Sequence, residues 1–327
     1  MSLRIIKAGV LDTIQDAGRF GHQHLGINPG GCMDLYAAQL GLSITGCAGT
    51  ALIELHFPAS IFLFEQEAMI TITGADFTPT IDGDEISLNR PVIVARNSLL
   101  QFEKRKRGAR AYLAIREGIA IDRWLGSRST NTKAKTGGFN GRALQRDDVI
   151  NYASTSSYHL HCDMKPLSWT ADPSWLPREP ASIDILAGPE WHHLAAHAKH
   201  DLTYEKFLIA GAADRMGYLL NGPFQAGRFR ERVSSAVTFG TLQLLPSGQP
   251  ILLMADHQTT GGYPRIAQVI TAHLPFVAQK QTGDSLRFRM VGREVAWNTW
   301  LQQYRHLQQV NLACHLKLES LDYCGRH

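Results

Sequence analysis

Short apolar segments separated by turn residues recur along this chain, and that rhythm restricts its fold more than any other feature. Ile53 to Leu55, Ile61 to Phe64, Met69 to Thr73, Val92 to Ala95, Leu99 to Phe102 and Ala111 to Ile115 are rich in Val, Ile, Leu and Phe and lie between Gly, Asp and Asn residues. Runs of this length are strands, and their repetition describes a mainly β domain. Asp82-Gly83-Asp84, between Thr80 and Ile86, predicts a hairpin in which Gly83 supplies a positive φ. A single helix is expected after Asp34, because Leu35, Ala38 and Leu42 keep helical spacing behind an acidic cap.

The pattern resumes with Ile183-Asp184-Ile185-Leu186 and a helical stretch from Pro189, followed by strands around Tyr218 to Leu220, Thr241 to Leu245, Ile251 to Met254 and Ser285 to Met290. From Arg293 to about Val310, the residues Val295, Trp297, Trp300, Leu301, Tyr304 and Leu307 predict a C-terminal helix whose aromatics pack on the core. A chain of 327 residues, 44% of them hydrophobic, divides more readily into two domains than one. Pro166, Pro173, Pro177 and Pro180 interrupt any regular element between the two β regions. The expected organisation is an N-terminal β domain over 1–152, a connection over 153–181, a C-terminal β domain over 182–292, and a helix and tail over 293–327.

Charge and cysteine usage exclude several partners. The net charge is +4, and the main basic run, Lys104-Arg105-Lys106-Arg107, ends at Gly108 without interleaved aromatics, so it reads as a solvated turn and not a nucleic-acid surface. Cys32, Cys47, Cys162, Cys314 and Cys324 are scattered with no CxxC pair, which suits reduced thiols in the cytoplasm. Residues Met1 to Asp16 contain Arg4, Lys7 and Asp12 and no long apolar core, so neither a signal peptide nor a membrane span is expected there.

Polar chemistry concentrates where an apolar strand ends. Ile251 to Ala255 leads directly into Asp256-His257-Gln258-Thr259-Thr260-Gly261-Gly262-Tyr263-Pro264, which brings an acid, an amide, two hydroxyls and two flexible glycines together. The alternative is a tight turn capped by Asp256 and Thr259. Asp12 to Gly21 leads through Gly26 to Asp34 in a glycine-rich loop, where Arg19 suits either a bound carboxylate or phosphate or a structural pair with Asp16 or Asp34. Gly126-Ser127-Arg128-Ser129-Thr130 has the composition of an anion cradle and equally of a turn with local side-chain bonds. Asp214-Arg215-Met216-Gly217-Tyr218 carries an acid and a base into a strand, as an ion pair or a catalytic element. His193, His197 and His200 have the spacing of one helix face, but no acid completes an HExxH arrangement, so they read as surface or interface groups and no metal is expected.

Taken in order, Thr13 to Arg19, Gly30 to Asp34, Gly126 to Thr130, Asp214 to Tyr218 and Asp256 to Pro264 resemble the biotin-dependent carboxyltransferase or allophanate hydrolase subunit 2 family, with agreement across about residues 4 to 290. That family includes the C component of bacterial ATP-dependent 5-oxoprolinase, an antagonist of a sporulation-kinase inhibitor, and half of the carboxyltransferase region of urea carboxylase. This chain departs from the usual family pattern at His257, where Arg or a small residue is usual, and at Leu219, where Arg is common.

The resemblance implies two cyclophilin-like β-barrel domains with a few peripheral helices. It also implies a cytoplasmic subunit whose partners are a subunit 1-family protein, similar to the B component of 5-oxoprolinase, and the lamB-like A component. The reaction it implies is ATP-dependent opening of 5-oxo-L-proline to L-glutamate. No GxxxxGK[ST] phosphate loop is present, so the ATP used by the complex is expected at a different arrangement, a shared interface or another subunit. Asp256 is the expected proton acceptor or orienter, with Gln258, Thr259, Thr260 and the Gly261 and Gly262 amides holding a carbonyl or oxyanion. Arg19 and Arg128 are candidates for the substrate carboxylate or phosphate, and Ser129, Thr130, Arg215 and Tyr263 complete the expected binding set. In the alternative carboxyltransferase reading the same pocket takes carboxybiotin, carried by another protein because no Ala-Met-Lys-Met attachment sequence occurs. A regulatory reading instead has the chain sequester a subunit 1 relative without chemistry of its own.

Overall fold

The computed structural model describes residues 1–116, 118–152, 164–171, 180–211, 213–224, 226 and 233–324. The chain is mainly β and forms two compact units, each discontinuous in sequence. The first contains Met1–Gly18, Asp34–Leu176 and Arg305–His327; the second contains Arg19–Met33 and Pro177–Tyr304.

In the first unit, two six-stranded sheets enclose one core. One sheet runs Val149–Asn151, Ser2–Lys7, Ile61–Phe64, Leu99–Phe102, Pro79–Ile81, Asp84–Glu85; the other runs Met164–Pro166, Val92–Val94, Ala68–Asp76, Arg107–Ile115, Leu52–His56, Thr13–Gln15. Alternating side chains from both, among them Leu3, Ile5, Phe62, Phe64, Ile53, Leu55, Ile70, Ile72 and Leu113, fill the space between the sheets. The hairpin expected at Asp82-Gly83 is present: Thr80 faces Glu85, and Asp82 and Gly83 have φ of 51° and 96°. The helix expected after Asp34 is α1 (Leu35–Thr45), with Asp34 Oδ1 accepting from the Ala37 N–H at 2.8 Å.

Part of the expected connection is a strand. Met164 faces Val94 and Pro166 faces Val92 at the edge of the second sheet, where a proline's missing N–H leaves no ladder bond unmade. Of the remaining prolines expected there, Pro173 and Pro177, like the thiol Cys162, lie outside the described residues, and Pro180 stands in no regular element.

The second unit is built on a closed barrel of seven strands in the order Ile183–Ala187, Arg265–Val269, Thr241–Leu244, Pro250–Leu253, Gly217–Asn221, Lys206–Ala210, Ser285–Met290. Its interior holds Ile185, Phe207, Tyr218, Leu242, Leu252, Ile266 and Phe288, and closure leaves this sheet no edge within the ring. α2 (Ala196–Tyr204) and the short α3 (Leu274–Ala278) lie outside the strands. The loop Arg19–Met33 belongs to this unit although it falls within residues 1–152, because Met33 is fully buried in the barrel core.

The C-terminal helix, α4 (Arg293–Cys324), is longer than the expected Arg293 to Val310, and of the aromatics expected to pack on the core Trp297 and Tyr304 are exposed. Its later apolar positions explain the extension: Leu307 and Cys314 are buried with Tyr36, Leu40 and Ile44 of α1 in one cluster, and Leu318 is buried with Met69 and Ile93 in the next. Among the described residues no helix is long and apolar enough to cross a membrane.

Candidate functional site

The acid just past the Pro250–Leu253 strand is fixed by a base just before the neighbouring Gly217–Asn221 strand. Met254 N–H donates to the Met216 carbonyl at 2.9 Å and Asp256 N–H to the Arg215 carbonyl at 2.7 Å, which carries the pairing beyond the strands and sets the two side chains side by side. Arg215 Nε donates to Asp256 Oδ2 at 2.8 Å and Nη2 to Oδ1 at 3.0 Å, a planar fork on a planar carboxylate. Nη2 also donates to the Gly31 carbonyl at 2.6 Å. Gly30, with φ of 61°, brings its backbone against the pair, and a Cβ there would lie 3.5 Å from Asp256 Oδ1. Arg215 therefore pairs with Asp256 and not with its neighbour Asp214, whose Oδ1 accepts from the Met216 and Gly217 amides at 2.7 and 3.1 Å and caps the turn.

The residues after Asp256 separate by burial. His257 is buried, with Nδ1 against the Gln258 carbonyl; a carbonyl only accepts, so Nδ1 carries the proton, and burial holds the imidazole below the usual histidine range. Gln258 and Thr260 are exposed and Thr259 is half-buried. Thr260–Gly261 pairs antiparallel with Ser235–Ala236 as a two-stranded ribbon. Beneath it, Gln243 is fully buried on the Thr241–Leu244 strand, accepting from Gln258 Nε2 at 3.3 Å and donating to the Tyr263 carbonyl at 3.3 Å. A Cβ on Gly261 would come within 2.6 Å of Gln243 Nε2, so a larger residue there would displace this amide.

Beside the ribbon is a cavity of about 390 Å³ lined by Glu190, Val233, Ser235, Tyr263 and Arg265. Arg265 donates through Nε and Nη2 to Glu190 at 3.2 Å each and through Nη1 to the Ala236 carbonyl at 3.0 Å, joining the wall to the ribbon. Of the residues expected at the site, Tyr263 lines this cavity, and Gly261 is linked to it through its pairing with Ser235. Sequence reading missed Glu190, Ser235, Gln243 and Arg265. Gln243 had a signal, a lone amide between Leu242 and Leu244 on a buried strand; Arg265 adjoined the motif; Glu190 and Ser235 had none.

In the first unit, the expected anion cradle holds the chain's own anion. Asp16 Oδ1 accepts from the Ser127 and Ser129 hydroxyls at 2.7 and 2.6 Å and from the Gly18 N–H at 2.9 Å, and Oδ2 accepts from the Arg128 N–H at 2.6 Å. The Thr130 hydroxyl donates to the Ile14 carbonyl and Arg128 Nε to the Ile121 carbonyl, both at 2.9 Å. Arg19, in the second unit, is 1% exposed, which encloses its guanidinium. His193 ends a short 3-10 turn, Trp191–His193, outside α2, so it does not share a helix face with His197 and His200. His200 stacks on Tyr204 with centroids 4.4 Å apart. Among the described residues no group of three or more His, Cys, Asp or Glu converges as metal ligands.

Residues 25–290 match the family described as carboxyltransferase domain, subdomain A and B. The chain is 32% identical to the C component of 5-oxoprolinase from Haemophilus influenzae over 302 residues, covering 91% of this chain and 94% of that one. It is 29% identical to the C component of 5-oxoprolinase from Escherichia coli over 316 residues, 96% and 99% of the two chains. Among solved structures, urea amidolyase of Kluyveromyces lactis superposes with a TM-score of 0.86 at 26% identity, over 94% of this chain and 20% of that enzyme.

Proposed function

The chain belongs to the family of carboxyltransferase domains built from subdomains A and B, and on that premise we propose that it is one component of an ATP-dependent 5-oxoprolinase, opening 5-oxo-L-proline to L-glutamate with partner subunits. The observation that carries this reading is the extent of the likeness to the 5-oxoprolinase C component, which spans nearly the whole of both chains in the Haemophilus and Escherichia relatives alike. The partners in this reading are a member of the subunit 1 family, like the 5-oxoprolinase B component, and the lamB-like A component. The compartment is the cytoplasm, in keeping with Cys32, Cys47 and Cys314 as buried thiols.

The lactam of 5-oxoproline is a resonance-stabilised amide, and ATP activates it by phosphorylating the amide oxygen, which leaves the ring carbon electrophilic. ATP itself is assigned to the complex, at a shared or neighbouring subunit, because this chain has no phosphate loop. Asp256 in this reading is an orienting acceptor: each oxygen takes one N–H from Arg215 and keeps a lone pair for the substrate nitrogen or the attacking water. Thr259, Thr260 and the Gly262 amide face the developing oxyanion, Gly261 being taken up in the ribbon with Ser235, and Gln258 is held from below by Gln243. Tyr263 and Arg265 line the cavity that receives the substrate carboxylate. Arg19 and Arg128 retain a weaker claim on the carboxylate, since one is enclosed and the other is drawn to Ile121.

A second reading is supported by the likeness to urea amidolyase: the same loop would position an amide nitrogen to receive a carboxyl group from biotin carried on another protein. The test is reconstitution of this chain with both partner subunits, following ATP hydrolysis and glutamate release with and without 5-oxoproline. Coupled ATP loss and glutamate formation that require this chain are expected. A mixture that binds together yet yields neither would discard the hydrolase reading and leave the carboxyl-transfer one.

A further inference from the structure

The first unit contains a second cavity, of about 310 Å³, built from α4 and the segment Trp169 to Ala171. Its apolar wall is Trp169, Val310, Ala313 and Cys314, and Gln309 and Lys317 stand at its polar side. Burial raises the Cys314 thiol to about 11, so the sulfur contributes a neutral, polarisable surface. The frame is held from both sides. The Tyr36 hydroxyl and His306 Nδ1 are 2.6 Å apart and tie α1 to α4, while the Thr170 hydroxyl and the Ala171 N–H donate to the Asn89 carbonyl at 2.8 and 2.9 Å. A pre-formed cavity of this size, mainly apolar with few polar groups, has the character of a small-ligand site.

Two polar groups indicate what it would take. The Trp169 indole Nε1 is buried and has no hydrogen-bond partner among the described residues, so its desolvation is uncompensated. Lys317 is exposed and in no ion pair among the described residues, which leaves a cation at the cavity's side. A donor and a cation beside an aromatic and aliphatic wall suit an anionic acceptor on a flat apolar body.

We propose that this cavity is a binding site for a small carboxylic acid with a flat apolar body, the body packed against Trp169, Val310 and Ala313 and the carboxylate directed to Lys317. The site is separate from the Asp256 loop and stands independently of the 5-oxoprolinase reading.

Isothermal titration calorimetry of the full chain with indole-3-propionate, and with tryptamine as its cationic counterpart, tests the assignment. Saturable one-to-one binding of the acid is expected, with the amine at least tenfold weaker. Lys317→Glu should weaken acid binding at least tenfold, and Ala313→Trp, which fills the cavity, should abolish it. Both positions are exposed on α4, and unchanged melting temperatures would show that the variants remain folded. Absence of saturable acid binding, equal affinity for acid and amine, or undiminished affinity in Ala313→Trp would overturn the proposal.

Discussion

Asp256 and Arg215 show how two side chains 41 positions apart act as one group. Asp256→Asn replaces one acceptor oxygen with an NH2 that faces a guanidinium donor, and leaves the buried arginine short of its counter-charge. Turnover by the assembled complex is expected to fall about a hundredfold or more, the scale of losing an oriented transition-state contact, while pull-down of the partner subunits is unchanged; full activity would remove Asp256 from the mechanism. Asp12 offers a pH test. It is 1% exposed and accepts the His56 and Ser60 amides, yet desolvation raises its carboxyl from 3.8 to about 6. The native state therefore holds this proton more tightly than the unfolded chain, so the contribution to stability is full below 3.8 and is lost as pH rises through about 6. Comparing urea midpoints of the wild type and Asp12→Asn, the wild type's relative stability should drop by on the order of 2–3 kcal/mol between pH 4 and pH 7. A pH-independent difference would contradict the shift.

The elements most legible in the sequence were those whose start and stop signals are local. α1 announced itself through Asp34 at its beginning and the helical spacing of Leu35, Ala38 and Leu42; the structure ends it at Gly46, where φ is 73° and the N–H closes on Leu42 and Ser43. Gly46→Ala is expected to destabilise by about 1–3 kcal/mol, from left-handed backbone cost and from a Cβ placed 2.7 Å from Leu318 Cδ1. Urea denaturation measures this, and a neutral substitution would mean that Leu318 yields freely. Elements defined by distant partners were harder to read. Met164–Pro166 is a strand only because Val92–Val94 offers an edge, and the second half of α4 is marked by Cys314 and Leu318, whose apolar neighbours on α1 and the sheet are far away in sequence. The candidate loop divides likewise. Its acid, amide, hydroxyls and glycines are contiguous and were visible, whereas Ser235 and Glu190 reach the cavity through strand pairing and an ion pair that no local pattern encodes. Ser127 and Ser129 have the composition of a ligand cradle, but whether their acceptor is a substrate or Asp16, more than 100 positions earlier, depends on the tertiary fold.

At the scale of the whole molecule, the discontinuity of the units has a physical consequence for any division of the chain. The barrel unit extends from Pro177 to Tyr304 but also takes Arg19–Met33 from the N-terminal part of the sequence. Met33 is fully buried among barrel residues, and the Gly31 carbonyl is an acceptor for buried Arg215. Removing a buried methionine costs about 2–5 kcal/mol, and leaving a buried donor short of its acceptor costs about 1–3 kcal/mol more. Together these approach the whole stability of an ordinary domain, roughly 5–15 kcal/mol. A fragment of residues 182–292, cut at the domain boundaries that the sequence suggests, is therefore expected to lack a cooperative urea transition by circular dichroism. Adding a peptide of residues 19–33 should restore the transition, because it returns Met33 to the core and the carbonyl to Arg215. If the fragment unfolds cooperatively and the peptide leaves its midpoint unchanged, the loop is an ornament on the barrel. If the peptide restores folding, the segment that carries Gly30 and Gly31 to the Asp256 pair is also part of what holds the barrel together, and the site and the stability of its unit depend on the same fifteen residues.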